Sequence, residues 1–290
     1  MTAIGDETRP RTILITGATD GLGRALAGQL ASGANQLILH GRDEQRLAAI
    51  AGDIERSGAA APQTVLADLA DLRQVRHLSE RVAELTDRLD VFVSNAGVGS
   101  GEPDGHERRV SADGYELRFA VNYLAGFDLA LRLMPLLQAA GSARIVNVAS
   151  LGQAAIDWDD VMIEREYDGY RAYCQSKLAQ ITAGFTMAER LSPDVVTVNS
   201  LHPSTLMPTK MVVAEYGRSV DTLEAGEIAT RRLVDDPALS GVTGKFFDRL
   251  REARADESAY DPRVRRRLWQ LSLDLTGAPD LQPPPGRKVP

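Results

Sequence analysis

Residues 16–23 read Thr16-Gly17-Ala18-Thr19-Asp20-Gly21-Leu22-Gly23, and this stretch decides the fold. It follows an apolar run, Thr12–Thr16 (TILIT), and leads into residues that place Leu22, Leu26 and Leu30 on one helical face. A strand that ends in glycines and passes directly into a helix opens a βαβ unit. Glycines there let the backbone turn sharply and approach a pyrophosphate, whose charge is favoured at a helix N-terminus. The spacing is G-x-x-x-G-x-G rather than G-x-G-x-x-G. For these residues taken alone, a tight turn without a ligand is the other reading.

Outward from that turn, strand-like and helix-like periods alternate. Further strands are expected at Gln36–His40, Gln63–Ala67, Asp90–Ser94, Arg144–Ala149, Val195–Leu201 and Gly244–Arg249. Helices are expected near 43–57, 71–88, 112–139 and 170–191. This alternation predicts an α/β fold: a single-domain, Rossmann-type, doubly wound and mostly parallel seven-stranded sheet with helices on both faces. The domain is expected over 11–277, after a flexible N-terminus (1–10) and before a disordered, proline-rich tail (278–290).

The 290 residues suffice for one sizeable core. A formal charge of −7 argues against a nucleic-acid partner, which would select a basic face. The single cysteine, Cys174, permits no intramolecular disulfide and fits a reducing compartment. The first residues lack the apolar run of a signal peptide, and no stretch approaches the roughly 20 apolar residues that span a bilayer. A soluble, cytoplasmic protein is therefore expected, with no membrane partner and no metal site.

At the end of the second strand, an NAD site usually offers a carboxylate to the adenosine ribose. Here the residues are His40-Gly41-Arg42. The guanidinium of Arg42 favours a 2′-phosphate and hence NADP(H), with NAD(H) the alternative. Asp20, in the glycine turn, opposes that choice, and a solvated surface charge is the plain reading of Arg42. Tyr173 and Lys177, four apart, share a helix face. A tyrosine hydroxyl has a reference pKa of about 10, and a neighbouring ammonium favours its phenolate. Ser150 ends the fifth strand and Asn95-Ala96-Gly97 the fourth, both at the carboxyl edge where open α/β sheets bind ligands. Asn122 lies inside a long helix, where asparagine is a mediocre helix former. Each of these residues alone is more often structural; their ordered convergence on one edge points to a reaction site.

With these residues the sequence resembles the classical short-chain dehydrogenase/reductase family from about Arg11 to Gly277. The matches are TGATDGLG at 16–23, Asp68 after the third strand, SNAG at 94–97, Asn122, Ser150 and YCQSK at 173–177. The resemblance implies Tyr173 as general acid/base, Ser150 orienting the carbonyl or alcohol, Lys177 on the nicotinamide ribose and Asn122 in a proton relay. It implies cofactor contacts from Gly17, Thr19, Asp20, Gly21, Leu22, Gly23, Arg42, Asp68, Leu69, Asn95, Ala96, Gly97, Tyr173 and Lys177. Pro203, Thr205 and Leu206 join that set. Residues 156–160 with YRAYCQSK, and the long interval from Ser150 to Tyr173, are similar to the branch of retinol dehydrogenases, the WW-domain oxidoreductase and protochlorophyllide reductases.

Two departures stand after the sixth strand: Ser204 follows Pro203 where the family has glycine, and Pro208 precedes Thr209 where it has a hydroxyl residue. The implied activity is NADP(H)-dependent hydride transfer to or from a carbonyl or alcohol of a small, apolar substrate. The alternatives are reduction of an activated C=C bond and cofactor binding without chemistry. Substrate contacts are expected from 99–109, 151–169 and 205–218. The resemblance also implies a homo-oligomer.

Overall fold

A computed structural model describes residues 9–101, 107–209, 212–213 and 217–281. The strands are β1 (Thr12–Ile15), β2 (Gln36–Gly41), β3 (Gln63–Leu66), β4 (Val91–Ser94), β5 (Ala143–Val148), β6 (Val196–His202), β7 (Lys245–Asp248) and β8 (Arg251–Ala253). They form one sheet in the order β3-β2-β1-β4-β5-β6-β7-β8, parallel except for the last pair. The expected seven strands are thus eight. The eighth follows β7 through a tight hairpin in which Arg249 takes a positive φ of 54°. Its Arg251 and Glu252 are exposed, so no apolar alternation marks it in the sequence.

Alternate residues of each strand enter opposite cores. Leu14, Ile38, Phe92 and Ile145 join one cluster, while Ile13, Ile15, Leu37, Leu39, Val91, Val93 and Val146 join the other. Both faces are apolar because helices cover both, so the strands read as continuous apolar runs. Helices α1 (Gly21–Ala31), α2 (Glu44–Arg56) and α3 (Leu72–Leu85) follow their strands. Asp43 and Asp71 accept the N–H groups of Arg46 and Arg73 at the starts of α2 and α3, satisfying donors that a helix leaves open.

The helix expected over 112–139 is two. α4 (Leu117–Arg132) and α5 (Met134–Ala140) meet at 58°. Pro135 supplies no N–H and its ring crowds the preceding turn, which breaks the axis there. α4 also contains a π-helical turn, Ala120–Leu124, which carries Asn122. Among the described residues, no single helix is long and apolar enough to cross a membrane. α6 (Gly169–Arg190) is capped by Asp168, which accepts from Tyr170 and Arg171. α7 (Leu223–Asp235) and α8 (Pro262–Thr276) complete the covering layers.

The packed chain runs past both expected domain ends. Arg9 donates to Asp90 and to the Ala140 carbonyl. Leu281 is buried in the same cluster as Trp269, and Asp280 accepts from Trp269 Nε1 at 2.8 Å. The remaining residues of the two expected flexible ends, 1–8 and 282–290, lie outside the described residues.

Candidate active site

Because β1, β4, β5 and β6 are parallel neighbours, their carboxyl ends share one edge. The connection after β1 runs to β2 on one side and the connection after β4 runs to β5 on the other, which opens a crevice between β1 and β4 where such sheets take ligands.

The glycine turn is held by its neighbours. Gly17 and Gly21 have φ of +66° and +50°, conformations that glycine adopts without a Cβ penalty. A side chain on Gly23 would strike the Gly17 carbonyl and come within 2.6 Å of Asn95 Nδ2. That clearance lets Asn95 Nδ2 donate to the carbonyls of Thr16 and Gly17, at 2.8 and 3.2 Å. Thr16 Oγ1 accepts from the Asn95 and Ala96 N–H groups. Asn95 and Ala96 therefore clamp the turn, and Leu22 is buried beneath it.

His40 adds a clamp that the sequence does not announce. It is 2% exposed; its Nδ1 accepts from the Gly17 N–H at 3.3 Å and its Nε2 donates to the Ala67 carbonyl at 3.0 Å. Acceptance at Nδ1 needs the neutral ring, and burial lowers its pKa to about 4. The next residue but one, Arg42, is exposed, with no hydrogen bond or ion pair among the described residues. Asp20 accepts from the Gly21 N–H and faces Arg46 at 3.8 Å. Thr19 packs on Gly41, where an added Cβ would lie 2.5 Å from Thr19 Cγ2. Asp68 accepts from the Ala70 N–H at 2.9 Å. Leu69 is buried in the core cluster.

The four residues expected to react lie around two glycines. A Cβ on Gly97 would lie 3.2 Å from Asn122 Oδ1 and 3.6 Å from Lys177 Nζ. One on Gly152 would lie 3.4 Å from Ser150 Oγ, 3.6 Å from Tyr173 Cε1 and 3.2 Å from Cys174 Sγ. Ser150 Oγ accepts from the Gly152 N–H at 3.0 Å, which fixes the hydroxyl. Asn122 Oδ1 accepts from Val98 N–H, while its Nδ2 donates to the Val98 carbonyl and to Ser176 Oγ. Lys177 Nζ sits 5.9 Å from the Tyr173 ring centroid and donates to the Val148 carbonyl at 2.8 Å. Burial lowers the Lys177 pKa to about 8. Cys174 is buried, in keeping with a packed small side chain.

Beyond β6, Ser204 replaces glycine without adopting a left-handed backbone. Its hydroxyl donates to Asp221 Oδ2 at 2.8 Å, which also accepts from the Thr205 N–H at 2.9 Å and faces Arg249 at 2.9 Å. Pro203 is buried, Thr205 Oγ1 meets His202 Nε2 and Arg249, and Leu206 takes a φ of +46°. Thr209, beside Pro208, packs on the glycine turn: a Cβ on Gly21 would come 2.9 Å from its methyl. Asp221 carried no signal in the sequence, because nothing local marks a carboxylate whose partners lie 16 to 28 residues away.

The model of the short chain dehydrogenase family matches residues 11–217. The chain belongs to the short chain dehydrogenases. Human retinol dehydrogenase 13 is 33% identical over 97% of this chain and 88% of its own length. A candidate daunorubicin C-13 ketoreductase from Streptomyces sp. strain C5 is 35% identical over 92% and 93%. Among solved structures, an uncharacterized protein from Mycobacterium Paratuberculosis has a TM-score of 0.74 at 25% identity, covering 95% of this chain and 96% of that one. A candidate short chain dehydrogenase from Escherichia coli CFT073, solved with NADPH, has a TM-score of 0.65 at 26% identity, covering 84% and 98%. This short chain dehydrogenase is accordingly an NAD(P)-dependent oxidoreductase acting on CH–OH or C=O groups, in a family that includes the retinol dehydrogenases.

Proposed function

We propose that the protein is an NADP(H)-dependent oxidoreductase of small, apolar carbonyls and alcohols, with Tyr173 as its general acid/base. The observation that carries the cofactor choice is Arg42, an exposed guanidinium without a partner among the described residues, at the carboxyl end of β2 beside the glycine turn. Asp20, the residue that opposes a 2′-phosphate, has Arg46 within 3.8 Å, which offsets its charge. The likeness to a retinol dehydrogenase and a candidate daunorubicin ketoreductase supports an apolar carbonyl or alcohol substrate.

The residues fit such a cofactor: the glycine turn offers N–H groups at a helix start, and Arg42 suits the 2′-phosphate. When bound, the nicotinamide supplies or accepts hydride. Ser150 orients the carbonyl oxygen, and Tyr173 hands it a proton during reduction. Lys177, held against the Val148 carbonyl, places an ammonium near the tyrosine, which favours the phenolate left behind. Asn122 holds Val98 to the start of α6 and so keeps β4's exit and the tyrosine helix in register.

Decanal, all-trans-retinal and daunorubicin, each supplied with NADPH or NADH, test the reading by cofactor consumption. NADPH-dependent turnover is expected, and Tyr173→Phe should lower it at least ~100-fold while sparing NADPH binding. Arg42→Ala should raise the NADPH Kd about tenfold or more and leave the NADH Kd nearly unchanged. Equal losses for both cofactors would overturn the NADP assignment, and full activity in Tyr173→Phe would overturn the mechanism.

A further inference from the structure

Arg118 is fully buried, and Glu116 beside it is 1% exposed. Buried charges cost more than their attraction returns unless each donor and acceptor is met. Here they are met by a connected set. Arg118 Nε donates to the Gly99 carbonyl at 2.7 Å, Nη2 to the Ser100 carbonyl at 2.8 Å and Nη1 to the Tyr167 hydroxyl at 2.6 Å. That hydroxyl donates to Glu116 Oε1 at 2.9 Å, and Glu116 Oε2 accepts the Phe119 N–H at 2.7 Å. Burial pushes the Tyr167 pKa upward, so the phenol keeps its proton and remains a donor.

Three segments meet at this set. Gly99 and Ser100 form the outgoing root of the loop after β4. The returning root is tied to the same place, since Val110 bridges to Glu116 and the Arg109 carbonyl accepts from Leu117 N–H at 2.9 Å. Tyr167 ends the insertion after β5, directly before Asp168 caps α6, the helix that carries Tyr173. The insertion is also under backbone strain: Ile163 and Glu166 have φ of +46° and +48°, which persists only where surrounding contacts enforce it.

We propose that Glu116, Arg118 and Tyr167 are a positioning brace that sets the substrate-facing wall of the cleft against Tyr173, and so governs affinity for the carbonyl rather than for the cofactor. The inference rests on the reductase reading above, with the described residues 99–101 and 107–109 and the 151–169 insertion expected on the substrate side. The glycine turn is held separately, by Asn95 and His40. Cofactor binding and wall position are thus under different side chains. A guanidinium suits this work because its rigid fork fixes several acceptors in one plane.

Tyr167→Phe removes the hydroxyl that links Arg118 Nη1 to Glu116 Oε1 and leaves that link to their 3.6 Å ion pair. The full-length variant is compared with wild type by NADPH titration, by steady-state reduction of decanal and by hydrogen exchange of both unliganded proteins. The NADPH Kd should stay within about twofold, while the decanal KM rises about tenfold with a smaller change in kcat. Exchange should quicken at 98–101 and 160–168 and stay unchanged at 16–23. An unchanged KM, or an NADPH Kd that rises in step with it, would overturn the brace. A wild-type protein inert toward decanal, retinal and daunorubicin would instead overturn the reductase reading. The brace is then decided by exchange, with quickening at both loop roots alone supporting it and any other pattern sinking it.

Discussion

The imidazole of His40 joins the end of β2 to the first N–H of the glycine turn, so its protonation state bears on stability as well as on the site. Its folded pKa of about 4 lies below the ordinary 6.5. As pH falls below 6.5 the unfolded chain takes up a proton that the folded protein refuses until pH approaches 4. Unfolding free energy therefore drops across that window, by about 2 kcal/mol between pH 7 and pH 5. Asparagine at this position keeps an acceptor near Gly17 and does not titrate. In His40→Asn, urea titrations at the two pH values should show a loss smaller by that amount; an equal loss in both proteins would remove His40 as its source. His40→Leu leaves the Gly17 N–H unmet and should weaken NADPH binding more than the asparagine variant does. The contrast with Tyr173 and Lys177 shows what one sequence can reveal. Those two are local partners on one helix, readable from a spacing of four. The bond that gives His40 its role joins residues 23 apart in sequence, and no pattern marks it.

At the scale of elements, legibility followed apolar periodicity. Strands β1, β2, β4, β5, β6 and β7 are largely buried in the sheet, so their apolar runs stood out, while the edge strand β3 buries only Val65. β8 is a charged edge whose hairpin carries no glycine or asparagine at Arg249 and Leu250, which is why seven strands were expected. Helices α7 and α8 were missed too, since α7 buries Glu227 and Thr230 among its apolar residues and α8 opens on Arg263, Arg265, Arg266 and Arg267, which blurs the apolar period of both. The segment after β6 depends on these late elements. Asp221, just before α7, collects Ser204, Thr205 and Arg249. This latch accounts for serine where the family has glycine: the added hydroxyl gains a partner instead of crowding a turn. Asp221→Ala should release the 204–206 segment and raise the NADPH Kd about tenfold, because three donors lose one acceptor. Ser204→Gly should change it far less, since Thr205 and Arg249 still hold the carboxylate. An unchanged Kd in Asp221→Ala, read by nicotinamide fluorescence, would separate the latch from cofactor binding.

Across the whole molecule, the sheet divides apolar clusters between its two faces and brings the expected reacting residues to its carboxyl edge. The described C-terminal residues pack against the covering helices instead. Leu281 and Asp280 belong there: the leucine enters the core cluster beside Trp269, and the carboxylate meets both the indole N–H and Arg190. Polar, proline-rich composition hid this packing, because a single leucine in the tail gives no period to read. Leu281→Ala deletes a buried side chain at a partly open site, where collapse limits the cavity, so a cost near the low end for such changes, about 2 kcal/mol, is expected. For a chain of this size that lowers Tm by roughly 3 °C. NADPH affinity and kcat per folded molecule should remain as in wild type, measured well below the lowered Tm. A loss of kcat without a loss of Tm would mean that Leu281 acts on the expected reaction edge rather than on the core cluster it enters.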